Sequence, residues 1–234
     1  MPDFPLPLNF SDLGKKAYGP VWEFQEAVLQ KTIDSKLAAR LDPDIKPEHH
    51  LFFVEHQPPV FTLGKSGDAS HLLTAESFLK EQGIEFYRSN RGGDITFHGP
   101  GQLVGYPIID LDQVYTDIHR YLRELEEVII MTLADFGING AGRKEGLTGV
   151  WVGEEKVCAI GVRTSRWVTM HGFALNVNTD LHYFDFIVPC GIRDKAVGSM
   201  KKILGKEIFL DEVKQSLLRN FCSVFPFRIK SNES

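Results

Sequence analysis

The sequence predicts an α+β fold, a single domain with a mixed, mostly antiparallel sheet flanked by helices. Three observations carry that expectation. Gly149-Val150-Trp151-Val152 and Lys156-Val157-Cys158-Ala159-Ile160-Gly161-Val162 flank Gly153-Glu154-Glu155, a β-hairpin pattern. Apolar stripes at helical spacing stand in separate stretches and do not alternate regularly with strands. The glycine-rich run after one of the strands, Arg91-Gly92-Gly93, is not GxGxxG and no helix follows it, which argues against a doubly wound dinucleotide fold.

The elements follow in order. Pro20 suits a first helical turn, and Val21, Trp22, Phe24, Ala27, Val28 and Ile33 mark a helix to about Ala39. Leu51–Glu55 reads as a short apolar strand. Val60–Gly64 is expected to be its partner after the Pro58-Pro59 break. Thr74 is the expected cap of a short helix ending near Gly83, and Ile84–Tyr87 and Leu103–Ile109 read as strands on either side of the glycine-rich loop. Ile118, Tyr121, Leu122, Leu125, Val128, Ile129 and Leu133 stripe a helix over about Thr116–Phe136, which Gly137 stops. Trp167–Asn178 contains a further strand and Leu210–Phe225 a final helix. The polar residues 231–234 are expected to fray.

The 234 residues, 43% hydrophobic and 24% charged, suit one globular domain over 1–234. A net charge of −5 argues against nucleic acid as the partner. The start, MPDFPLPLNF, has no basic region leading into an apolar core, and no apolar run approaches the roughly 20 residues that span a bilayer. No membrane partner and a cytoplasmic location are therefore expected. Cys158, Cys190 and Cys222 form neither a CxxC pair nor an even set, so reduced thiols are expected, with no zinc or other metal site.

The chemistry concentrates in Arg91-Gly92-Gly93-Asp94-Ile95-Thr96-Phe97-His98-Gly99-Pro100-Gly101-Gln102, whose glycines let the backbone bend and let another group come close. Cys190, in Val188-Pro189-Cys190-Gly191-Ile192, stands on a predicted sharp turn that presents a thiol; a nearby cation would lower its pKa from about 8.5. Lys156 opens the second strand of the hairpin. Its side chain either reaches out to solvent or points inward beside Cys190, and sequence distance does not decide between them. His98 and His171, each followed by glycine, are candidates to orient substrate or to activate Cys190. Asp94 and Asp110 lack a motif that would tie them to a second carboxylate. Gly64-Lys65-Ser66 ends like a phosphate-binding loop, but Pro59 stands where its first glycine is required.

Together these segments resemble the octanoyltransferases, the lipoyl(octanoyl) transferase family of the biotin/lipoate protein ligase superfamily. The run Arg91–Leu111 is similar to the signature RGG-x-x-T-x-H-x-P-G-Q, Thr148–Val162 carries the family's lysine at Lys156, His171–Val177 matches its acyl-site strand, and Val188–Ile192 carries its nucleophilic cysteine at Cys190. Phe97 stands where an aromatic is usual. The resemblance implies a biotin/lipoate ligase-like fold and a two-stage transfer. Cys190 would take an octanoyl group from acyl carrier protein, and a lysine of a lipoyl domain would then remove it as an amide. Lys156 would stabilise the thiolate and relay protons. Acyl contacts would come from Arg91, Gly92, Gly93, Asp94, Ile95, Thr96, Phe97 and His98, from Ala159, Ile160 and Gly161, and from Gly172, Phe173 and Ala174. Small residues such as Gly161, Gly172 and Ala174 are expected to leave space for the chain. The implied partners are acyl carrier protein and the lipoyl domains of 2-oxoacid dehydrogenase E2 subunits and glycine cleavage H protein. The enzyme would be a monomer without a cofactor, the donor riding on the carrier's phosphopantetheine arm. An ATP-dependent lipoate or biotin protein ligase on the same scaffold is the alternative.

Overall fold

In the computed structural model, which describes residues 5–188 and 196–230, the chain begins with a strand that no sequence pattern announces: β1, Leu6–Lys16. Its apolar alternation is confined to the first half, with Leu6 and Leu8 buried and Phe10 partly buried against the same core. Its partners are distant in sequence and lie parallel on both sides, β2 (His49–His56) and the C-terminal β11 (Phe227–Ile229). Between β1 and β2 runs helix α1, Tyr18–Ala38, two residues longer at its start than the proline signal suggests.

Eight strands form the large sheet, in the order β11-β1-β2-β6-β10-β9-β8-β7. Here β6 is Gln102–Ile108, β7 is Ala141–Gly142, β8 is Val150–Val152, β9 is Glu155–Ser165 and β10 is Val168–Asn176. All pairs from β2 to β7 are antiparallel. Alternation along the strands divides the core into two layers. Leu51 and Phe53 of β2, Leu103 of β6, and Phe173 and Leu175 of β10 meet α3 (Ile118–Asp135) and α5 (Leu210–Val224) on one face. Phe52, Val54, Val104, Tyr106, Ile108, Met170 and Ala174 meet α1 on the other. Asp117 caps α3 by accepting from the Arg120 N–H at 3.0 Å, and Gly137, at φ 81°, follows its end.

A second sheet corrects one pairing. β3 (Val60–Leu63) does not join β2. It lies between β4 (Glu85–Arg88), parallel, and β5 (Ile95–His98), antiparallel. The strand β5 is thus cut out of the glycine-rich run itself. The short helix α2, Glu76–Glu81, begins after Ala75 and has no side-chain cap, so Thr74 does not serve as one. Helix α4, Met200–Leu204, capped by Ser199 and stopped by Gly205 in the left-handed conformation, had no signal strong enough to predict it.

Candidate active site

Where α1 ends its cover of the large sheet, the small sheet takes over and a cavity of about 430 Å³ lies between them. Register builds its floor. Ala174 pairs with Ala159 and with Val104, Gly172 with Gly161, and Asn176 with Gln102, so small and polar side chains of three strands share the face that elsewhere holds α1. The far wall is the glycine-rich loop, laced to the turn after β3. Gly64 N–H donates to Asp94 O at 3.3 Å, Lys65 N–H to Arg91 O at 2.9 Å and Ser66 N–H to Gly93 O at 3.3 Å. Arg91 is buried beneath this seam. Its guanidinium donates to Thr62 O at 2.6 Å, to Thr62 Oγ1 at 2.8 Å and to Gly92 O at 3.0 Å. These contacts give Arg91 the task of holding the loop onto β3.

The buried imidazoles are neutral. His98 Nδ1–H donates to Gln102 Oε1 at 2.9 Å, a direction fixed because the Gln102 amide donates to Phe97 O and Asn176 Oδ1. His171 Nε2–H donates to Asn90 Oδ1 at 2.6 Å, while the Asn90 amide nitrogen is turned to Glu26. His56 Nδ1–H donates to Lys16 O at 3.1 Å, leaving Nε2 to accept from the Tyr106 hydroxyl at 2.7 Å. Burial disfavours their charged forms. It pulls His56 down to about 4 and His171 to about 3, and holds His98 well below the ordinary imidazole value. His171 also sits at φ 58°, a conformation unusual for a non-glycine residue, with its N–H bonded to Gln25 of α1 at 3.1 Å.

Lys156 stands at the start of β9 and lines the cavity. Its Nζ lies 5.0 Å from the centre of the Trp151 ring. Gly149, at φ 128°, makes room for it, since a Cβ there would meet Lys156 Cε at 2.6 Å. The Gly149 N–H is held in turn by Glu126 of α3 at 2.9 Å, a fully buried carboxylate also bonded to Arg123 and Arg143. The backbone of Lys156 is bridged to Val197: its N–H donates to Ala196 O at 2.9 Å, and its carbonyl accepts from Gly198 N–H at 3.0 Å. On the opposite flank of the cysteine segment, Val188 N–H donates to His71 O at 2.8 Å. Cys190 itself lies outside the described residues.

A family model for the lipoyl protein ligase A/B catalytic domain matches residues 18–222. The chain belongs to that family. An octanoyltransferase from Flavobacterium johnsoniae is 52% identical over 229 residues, covering 95% of this chain and 98% of its own, and one from Christiangramia forsetii is 53% identical over 226 residues, covering 94% and 96%. This member is therefore an enzyme, a transferase of the octanoyltransferase group. The fold is shared with a putative lipoate protein ligase from Thermoplasma acidophilum with bound lipoic acid, at a TM-score of 0.69 and 16% identity, over 96% of this chain and 88% of that one.

Most of the residues singled out from the octanoyltransferase signature come together. Arg91, Gly93, Asp94, Ile95, Thr96, His98, Lys156, Ala159, Ile160, Gly161, His171, Gly172, Phe173 and Ala174 all line the cavity. Gly92 and Phe97 are not among its lining. Gly92 N–H is committed to Val162 O at 2.9 Å, and the Phe97 ring stacks on Tyr183 at 4.5 Å in the apolar cluster of the small sheet. The expected reason for two glycines is corrected. A Cβ on Gly172 would strike Gly105 O at 2.2 Å, and one on Gly161 would meet Gly92 O at 2.8 Å, so backbone, not open space, fills those positions. Asp110 is tied up elsewhere, against Lys36 at 2.7 Å. Cys158 is fully buried and its thiol is pushed far up by desolvation, which makes it inert. Sequence reasoning did not single out His71, Tyr106 or Asn176, all of which line the cavity. His71 has no local motif, and its partner Asp94 stands 23 positions away.

Proposed function

We propose that this octanoyltransferase moves an octanoyl group from acyl carrier protein to a lysine of a lipoyl domain through a thioester on Cys190. The Cys190 thiolate attacks the carrier's thioester carbonyl, and the phosphopantetheine sulfur leaves as a thiol with a proton from the Lys156 ammonium. The ε-amine of the acceptor lysine then attacks the acyl-enzyme and passes a proton to the neutral Lys156 amine; an amide forms, and the sulfur is released as thiolate. Lys156, as an ammonium, stabilises that thiolate. Thioester to amide is downhill, so neither ATP nor a resident cofactor is needed.

The observation that carries this reading is where the chain is fastened on each side of the cysteine segment. Val188 is bonded to His71 and Ala196 to Lys156, and both partners line the same cavity. The lining also suits an acyl chain. Val104, Ile160, Phe173, Ala174 and Phe184 supply apolar surface, and each buried methylene contributes about 0.8 kcal/mol. The volume falls in the range of small-molecule pockets, roughly 300–1,000 Å³. Backbone N–H groups of the glycine-rich loop are the proposed oxyanion donors, narrowed by the fact that those of Gly92 and Ile95 already have partners, Val162 O and Asp94 Oδ1.

Acceptors are lipoyl domains such as those of 2-oxoacid dehydrogenase E2 subunits and glycine cleavage H protein. The enzyme works as a monomer in the cytoplasm; no helix among the described residues is long and apolar enough to cross a membrane. The test is intact-mass spectrometry after mixing with octanoyl carrier protein in the absence of ATP. The expected result is one octanoyl mass on Cys190, absent from Cys190→Ala and discharged by a lipoyl domain. Transfer that requires ATP, or that proceeds undiminished in Cys190→Ala, would overturn the reading in favour of a ligase.

A further inference from the structure

The cavity is a slot with two unlike ends, and the register of β9 with β10 measures it. Lys156 occupies one end. A Cβ on Gly149 would meet Lys156 Cε at 2.6 Å, Lys156 Nζ at 3.3 Å and Cys158 O at 2.6 Å, so the tip of the lysine stands level with Cys158. At the other end the glycine-rich loop comes down onto the sheet. Gly92 N–H donates to Val162 O at 2.9 Å, and Gly92 O fills the place of a Cβ on Gly161. Val162 pairs with His171, and that rung closes the slot. From Cys158 to Val162 the strand rises by four residues, about 13 Å.

His171 is turned into this end against the pattern of its own strand. Phe173 and Leu175 face the α3 and α5 layer, and alternation would send residue 171 there too. Its φ of 58° instead carries the imidazole to the α1 face, with ring centres 6.5 Å from Trp22 and 6.5 Å from Tyr106. Such a conformation persists only where the surroundings over-determine it. Here Gln25 holds the N–H, Asn90 holds the ring, and Glu26 holds Asn90 while pairing with Arg163 at 2.7 Å. Residues from α1, β9 and the β4–β5 connection thus fix one buried ring across the end of a slot whose floor is Ala159, Ala174 and two glycines.

We infer that His171 is the chain-length gauge of this enzyme, the surface against which the terminal methyl of the acyl chain stops. That the chain lies with its carbonyl beside Lys156 rests on the reading above. An extended octanoyl chain has seven carbon–carbon bonds of about 1.5 Å and, zigzagging, spans about 9 Å. With about 3 Å of hydrogen-bond distance between its carbonyl and the ammonium, it fills the four rungs. A decanoyl chain, two bonds longer, overruns them.

The test reads selectivity, which a merely loosened cavity would leave unchanged. Free hexanoate, octanoate, decanoate and dodecanoate are titrated calorimetrically into wild-type, His171→Asn and His171→Gly enzymes. The matching acyl carrier proteins are then used to charge each enzyme, followed by intact mass. Glycine and asparagine both accept a positive φ, so either keeps the backbone path. Wild-type affinity and charging kcat/KM should peak at eight carbons and fall at least tenfold at ten. In His171→Gly the decanoyl-to-octanoyl ratio should rise about tenfold, since two more methylenes are buried at about fourfold each, and in His171→Asn by less. An unchanged ratio, equal losses at every length, or a wild-type enzyme that takes decanoyl as readily as octanoyl overturns the assignment. One measurement needs no variant: in the wild-type complex with methyl-labelled octanoate, the terminal methyl should show a nuclear Overhauser effect to the His171 ring, and its absence overturns the assignment even where the variants fail to fold. Octanoate bound with the expected length preference, on an enzyme that gains no octanoyl mass, would overturn the acyl-enzyme reading and leave the gauge standing.

Discussion

Gly161 and Gly172 face each other in register across β9 and β10, and each has a backbone carbonyl where its Cβ would stand. The carbonyl opposite Gly172 belongs to Gly105 of β6 and the one opposite Gly161 to Gly92 of the loop. The pair therefore sets how closely the sheet and the loop approach. Gly172→Ala should cost more than Gly161→Ala, because its contact at 2.2 Å is with a strand hydrogen-bonded on both sides, while a loop carbonyl at 2.8 Å can give way. The expected loss for Gly172→Ala is about 3 kcal/mol, at the top of the usual range for overpacking, read as a lower midpoint in urea at unchanged slope.

The buried histidines make stability pH-dependent, and the sign follows from their neutrality. His49, His56 and His171 have folded-state values of about 4, 4 and 3, below the ordinary imidazole value of about 6.5. Above pH 6.5 both states are neutral and nothing is lost. As pH falls below 6.5 the unfolded chain takes up protons that the folded one refuses, so stability declines until the folded values are reached. Each such histidine contributes a slope of about 1.4 kcal/mol per pH unit in that window. Denaturant melts at pH 7, 6 and 5 should show a steep fall, and His56→Gln should flatten it by about one proton.

Replacing Lys156 separates its electrostatic role from folding. Lys156→Gln keeps a side chain against Trp151 and removes the ammonium. Acyl-enzyme formation near pH 7 should fall by tenfold or more and recover as pH rises towards the ordinary thiol value of about 8.5. The rate of octanoyl mass gain against pH is the measurement. An unshifted profile at a reduced rate would mean that Lys156 only shapes the wall.

How much could be read beforehand follows from the range of the interactions. The α3 stripe and the β8–β9 hairpin are local patterns, and the structure reproduces them within three residues. The cavity residues on β5, β9 and β10 were legible because they recur as contiguous motifs. β1 was not, because its strand character comes from parallel partners on both sides. The pairing of β3 was misjudged for the same reason: a two-proline break suggests a return beside β2, but the partner comes from the glycine-rich run more than thirty residues on. Glu126 shows a different limit. It interrupts an otherwise apolar face of α3, and only in three dimensions does it meet two arginines and the Gly149 N–H beneath Lys156.

Strain away from the cavity offers a last test. β9 and β10 are joined by a two-residue turn, Arg166-Trp167, with φ of 51° and 65° at its two positions. That is the type I′ geometry that asparagine and glycine adopt readily, and a side chain forced into it costs about 1–2 kcal/mol per residue. The turn's external bonds are made by backbone carbonyls: Arg166 O accepts from Lys36 Nζ at 2.6 Å and Trp167 O from Leu111 N–H at 2.8 Å. Both survive substitution. Trp167 still buries more than half of its large surface at 41% exposure, whereas Arg166 is exposed and gives up little when replaced. The substitution Arg166→Asn should raise stability by about 1 kcal/mol, seen as a higher thermal midpoint, while leaving octanoyl charging unchanged. Destabilisation instead would mean that the contacts of the Arg166 side chain outweigh the backbone strain.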